Sequence, residues 1–76
     1  MINELDMVVL TRDIKEHGLL KGDVGAVVHI YQDGKAFEIE FVAASGKTIA
    51  VITLEARDVR PISGREILHV RELATA

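Results

Sequence analysis

The chain has 76 residues, no cysteine, and nine Lys and Arg against twelve Asp and Glu, for a formal net charge of −3. That length supports one domain with a single small core, not a core plus a deep catalytic cleft. The missing cysteines exclude a disulfide framework and a thiolate metal site, and the acidic balance disfavours non-specific binding to nucleic acid or anionic membrane.

Residues 5–11, LDMVVLT, read as a first strand, with Met7 and Val9 on one face and Val8 and Leu10 on the other. Residues 12–20, RDIKEHGLL, are too short and broken for a helix. They are expected to form a loop across a barrel mouth, with Ile14 and Leu20 turned inward and Gly18 redirecting the chain. Residues 21–42 hold two strand-like runs joined by Gln32, Asp33, Gly34 and Lys35. Asp-Gly between β-rich runs is a strong hairpin signal, because Gly tolerates positive φ and Asp can bond its own backbone. In the second run Phe37, Ile39 and Phe41 alternate with Glu38 and Glu40, the pattern of a half-buried strand. The first run carries the denser patch Val27, Val28 and Ile30, expected of a central strand or one twisted by a bulge. Gly22 and Gly25 ahead of it suit a tight turn and a close approach of backbones.

A second turn over 43–47 leads to residues 48–54, TIAVITL, whose β-branched side chains favour a pleated environment. A break at Glu55, Ala56, Arg57 and Asp58 fits one 3₁₀ turn, and residues 59–62 form a last, short strand. Pro61 cannot donate to a ladder, so that strand should be short or lie at an edge. The expected core is Val8, Leu10, Val28, Ile30, Phe37, Ile39, Phe41, Ile52, Leu54 and Val59. Beyond it, Ser63 and Glu66 have capping-box spacing, and Ile67, Val70, Leu73 and Ala74 recur at three and four residues. The pattern predicts a short C-terminal helix, with an added strand over 66–70 as the alternative. The domain thus reads as a barrel over 1–62 and a helical extension of it over 63–76.

Five strand-like runs with short turns describe a small, mainly all-β barrel. Lys21, Gly22, Gly25, Val27 and Ile30 match the pattern KGxxGxVxxI of the KOW motif, found in SH3-like barrels of ribosomal proteins and transcription factors. Over most of its length the chain also resembles a group of short bacterial proteins known only as a domain of unknown function. The resemblance implies a five-stranded SH3-like barrel and brings no catalytic residue.

Candidate chemistry is sparse. His17, His29 and His69 fall in a loop, a strand and the expected helix, with no pair at metal-ligand spacing. Glu38 and Glu40 stand roughly 6–7 Å apart on one strand face, within reach of paired-acid chemistry, but nothing encloses them. The Gly22 to Gly25 element lacks the ending of a phosphate loop, and Gly46, Lys47 and Thr48 lead into a strand, not a helix. The reading is therefore non-catalytic, without cofactor, metal or small-molecule substrate. RNA binding, common among KOW proteins, is the alternative, with Lys21, Arg57 and Arg60 as the basic residues that would carry it. Against it, Phe37 and Phe41 point to the core and acidic side chains dilute the patch.

What remains is a protein-binding module, either self-associating as a homodimer or the small partner of a larger protein. The apolar stripe of Ile67, Val70 and Leu73 is the expected contact. By analogy of class, such proteins serve as accessory subunits, antitoxins or immunity factors. No apolar run approaches the ~20 residues of a membrane span, and the N-terminus lacks the pattern of a signal peptide. A cytoplasmic location is expected.

Overall fold

The computed structural model describes residues 1–73. Its strands are β1 (Met7–Leu10), β2 (Val24–Tyr31), β3 (Ala36–Val42), β4 (Thr48–Glu55) and β5 (Val59–Pro61). They form one antiparallel sheet in the order β4-β3-β2-β1-β5, so the protein is all-β. A 3₁₀ turn at Ala56–Asp58 joins β4 to β5, the two opposite edges of that sheet. Laid flat, those edges would stand about 19 Å apart, four interstrand spacings. Three residues of 3₁₀ turn span only about 6 Å. The sheet must therefore roll up, and one core fills its inside.

That core is Val8 and Leu10 of β1, Val27 of β2, Phe37, Ile39 and Phe41 of β3, Leu54 of β4 and Val59 of β5. Ile14 and Leu19 of the first loop close one end. The period-2 expectation for β3 holds residue by residue: the three apolar side chains are buried, and Glu38 and Glu40 lie on the other face. The turn at Gln32–Gly34 forms as its Asp-Gly pair suggests, with φ of 47° at Gln32, 59° at Asp33 and 89° at Gly34.

In β2 the expectation needs correction. Val28 is 40 % exposed, whereas Val27 is fully buried. The ladder runs Val27↔Ile39 and then His29↔Glu38, two residues of β2 for one of β3, so Val28 is the extra residue of a bulge. The bulge lets Val27 and Ile30 both face inward although their spacing is odd. A second shift, between Phe41↔Ala50 and Val42↔Thr48, turns both Ile49 and Ala50 onto the core. In the first loop the inward residue is Leu19, not Leu20, because Ile14 and Leu19 bond each other's backbone at 2.8 and 3.1 Å.

The C-terminal helix is the larger correction. Residues 63–73 contain no helix, and Ala74, the end of the expected stripe, lies outside the described residues. Ser63 and Glu66 do bond each other, through Ser63 N–H to Glu66 Oε1 at 2.7 Å and Glu66 N–H to Ser63 O at 3.0 Å. They close a single turn, after which residues 67–73 have no regular secondary structure. A helix this short is marginal in water unless its apolar face packs on something, and Ile67, His69 and Val70 are poor helix formers. Ile67 and Val70 stay exposed instead of packing on the core, so no buried apolar face supports a helix there.

Candidate functional site

Arginine–carboxylate pairs pin the segment after β5 to the barrel at two points. At the first, the Arg60 guanidinium grips Glu66 through both oxygens, at 2.9 and 2.7 Å, and donates to Pro61 O at 3.0 Å. That grip, with the Ser63 N–H, holds the Glu66 carboxyl down at about 2. At the second, Arg71 donates to Asp23 at 2.8 and 2.6 Å and to Gly18 O at 3.0 Å. Partial burial pushes the Asp23 carboxyl up, but Arg71 and the Leu20 N–H outweigh it, and the carboxyl lies below its ordinary range. The same oxygen that takes the Leu20 N–H at 2.9 Å takes Arg71, so this pin also ties the first loop to the start of β2.

Between the pins lie Ile67, Leu68, His69 and Val70. Ile67 is 93 % exposed and Val70 88 % exposed, and Leu73 just past the second pin is 43 % exposed. Of the three expected contact residues, then, two project fully into solvent. Val70 and Leu73 border a hollow of 370 Å³ whose lining also includes Leu19, Phe41 and Ile49. Leu68 borders a second hollow, of 500 Å³, with Met7, Pro61 and Ile62. The segment is thus a strap, held at fixed points and showing apolar side chains outward.

The basic residues of the nucleic-acid alternative are not gathered into one free patch. Arg60 is engaged by Glu66, and Arg57 pairs with Glu55 at 2.9 Å. Lys21 is exposed in the first loop, its N–H held by Asp13 at 2.7 Å. The histidines are spread as their positions suggest. His17 sits in the exposed 3₁₀ turn Lys15–His17, His29 on β2 stands edge-on to Tyr31, and His69 is on the strap. Among the described residues no group of three His, Cys, Asp or Glu is placed to hold a metal ion. Glu38 takes hydroxyls from Tyr31 and Thr53, and Glu40 takes that of Thr48 at 2.7 Å, so both carboxylates are bound within the outer face of the sheet.

One polar site was not foreseen. Asp58, only 6 % exposed, accepts from Arg12 Nε at 2.8 Å and from Glu55 N–H at 3.0 Å. Burial raises its carboxyl, and these two donors bring it below its ordinary range. Thr11 completes the knot by donating to Asp58 O and Arg57 O. It locks the turn that closes the barrel to the end of β1. The only sequence signal was Asp58 three residues after Glu55, the spacing of the capping box found there.

No helix of the described residues is long and apolar enough to cross a membrane. No curated protein and no solved structure matches the chain. Residues 4–61 match the family model described as Domain of unknown function (DUF4926), a span that takes in all five strands and stops before the strap. The chain belongs to the DUF4926 family.

Proposed function

We propose that the protein is a non-catalytic protein-binding module, an accessory subunit of a larger bacterial cytoplasmic assembly, that presents its C-terminal strap to the partner. The observation that carries this is the exposure of Ile67 and Val70 on a segment that two arginine–carboxylate pairs hold in place. An unfastened tail would show apolar side chains in any conformation. A fastened one that still shows them forgoes roughly 1.5–3 kcal/mol per side chain, which a partner would recover. Fixing the strap beforehand also lowers the ordering cost of binding.

The barrel itself is read as SH3-like and KOW-like, on the strand order, the 3₁₀ turn before the last strand and the turn at Lys21 and Gly22 that opens β2. Antitoxins and immunity factors are roles of the same class. RNA binding is the weaker reading, because Arg57 and Arg60 already have carboxylate partners.

The test is affinity capture from host lysate with the wild-type chain and with Ile67→Asp/Val70→Asp. The reading expects a discrete partner that the double variant loses while it melts like wild type. Capture of the same proteins by both chains, or of none, contradicts it.

A further inference from the structure

The first loop, residues 11–23 between β1 and β2, is anchored firmly at its two ends and lightly in the middle. At its start Thr11 and Arg12 join the Asp58 knot. At its end the Gly22 N–H donates to Leu10 O and the Leu10 N–H to Asp23 O, both at 2.9 Å. Residues 14–20 bond only within the loop, through the Ile14 and Leu19 pair, the Lys15–His17 turn and the Leu20 N–H on Asp23, with one exception. Among the described residues a single hydrogen bond reaches them from outside the loop, and it comes from the strap: Arg71 Nη2 to Gly18 O, at 3.0 Å. The same nitrogen donates to Asp23 Oδ2, the oxygen that holds the Leu20 N–H. Arg71 therefore grips the loop on either side of Leu19, a member of the core. Its side chain and that of Asp23 are 30 and 19 % exposed, against 46 and 37 % for Arg60 and Glu66. The second pin is the less screened by solvent.

We propose that Arg71 is a latch through which the strap and the first loop open as one unit. Withdrawing it removes the loop's outside bond at Gly18 and a ligand of Asp23 in one step, leaving Ile14 and Leu19 held to the barrel by packing alone. His69, Val70, Arg71 and Leu73 line the same hollow as Leu19, so the movement also widens that hollow. Coupling of this kind is reciprocal: whatever loosens the loop loosens the strap by the same free energy. The first pin takes no part, since Arg60 bonds Pro61 and Glu66 and nothing in the loop. It stays closed as the anchor about which the strap turns. A partner that seats Val70 and draws the strap outward frees the first loop in the same event. That use rests on the binding reading above, whereas the latch belongs to the free chain.

Hydrogen exchange followed by NMR on the chain alone tests the latch in both directions. The loop is read at the Ile14 and Leu19 N–H groups, each bonded to the other's carbonyl. The strap is read at Arg71 Nε–H, which donates to Asp23 Oδ1 at 2.8 Å. The Val27 N–H, bonded to Asp6 O at 2.9 Å, is the control for the barrel. Arg71→Ala is expected to speed exchange at Ile14 and Leu19 by about tenfold, the effect of losing one charged donor, with Val27 unchanged. Arg60→Ala, which opens only the first pin, is expected to leave Ile14, Leu19 and Val27 as they are. In the reverse direction Ile14→Val, which trims a buried loop side chain, is expected to speed exchange at Arg71 Nε–H by about threefold or more, again with Val27 unchanged. Loop amides indifferent to Arg71→Ala, or equally sensitive to Arg60→Ala, overturn the proposal. So does an Arg71 Nε–H indifferent to Ile14→Val, or a Val27 that accelerates as much as the loop. No partner takes part, so a failed latch leaves the binding reading standing and a failed capture leaves the latch.

Discussion

Replacing Gly25 by alanine isolates one feature of the core that the fold depends on. Gly25 is buried at the start of β2, opposite Val8. A Cβ there would lie 2.5 Å from Ile39 Cγ2 and 2.8 Å from a Phe41 ring carbon, both on β3. Neither neighbour can retreat, since Ile39 and Phe41 are themselves buried at the centre of the cluster. Forcing a methyl into such a site costs about 1–3 kcal/mol in displaced side chains and backbone. Alanine returns up to about 1 kcal/mol by restricting the unfolded chain. The net expectation is a loss of about 1–2 kcal/mol, read from the midpoint of urea unfolding at constant m-value. Gly22→Ala is the control, because a Cβ there meets open space and only the φ of 95° is unfavourable. A Gly25→Ala chain that unfolds within 0.5 kcal/mol of wild type, ~ the scatter expected of a neutral surface change, would refute the packing described.

Phe37→Ala or Phe41→Ala should each cost about 3–5 kcal/mol in the same assay, a large share of the stability of so small a domain. Cutting the chain after Ile62 removes no member of the core cluster and should cost less than either, with the sheet retained by circular dichroism; collapse of the fold would make the strap part of the domain. Lowering the pH should destabilise the protein, because Asp23, Asp58 and Glu66 all have carboxyls held below their ordinary values by arginine and N–H donors. Their contributions are complete above the unfolded carboxylate range near 4 and are lost as pH falls toward about 2 for Glu66. Asp58→Asn should lower the melting temperature at pH 7 and flatten that acid loss, and an unchanged acid profile would remove Asp58 from its cause.

Much of the sheet could be read directly, for reasons that are local. The alternation in β3, the Asp33 and Gly34 turn, the 3₁₀ break before β5 and the edge position of Pro61 each follow from a few adjacent residues. The errors arose where a tertiary choice overrode the local pattern. Val27, Val28 and Ile30 are equally apolar, and only the pairing with β3 decides which one becomes the bulge. Ser63 and Glu66 serve a turn as well as a helix cap, and Arg60 settles the matter by taking the Glu66 carboxylate. Ile67, Val70 and Leu73 were identifiable as apolar residues beyond the barrel, but the strap that displays them rests on Arg71 meeting Asp23, 48 residues away. No spacing rule reaches that far.

The most direct test of the binding surface is photo-crosslinking in the native host, with a photoreactive residue placed at position 70 and, as control, at Lys35 beside the hairpin turn on the barrel. If the strap is the contact, position 70 yields a discrete adduct with one protein and position 35 does not. The same diffuse products from both positions, or a discrete adduct only from position 35, would contradict the account.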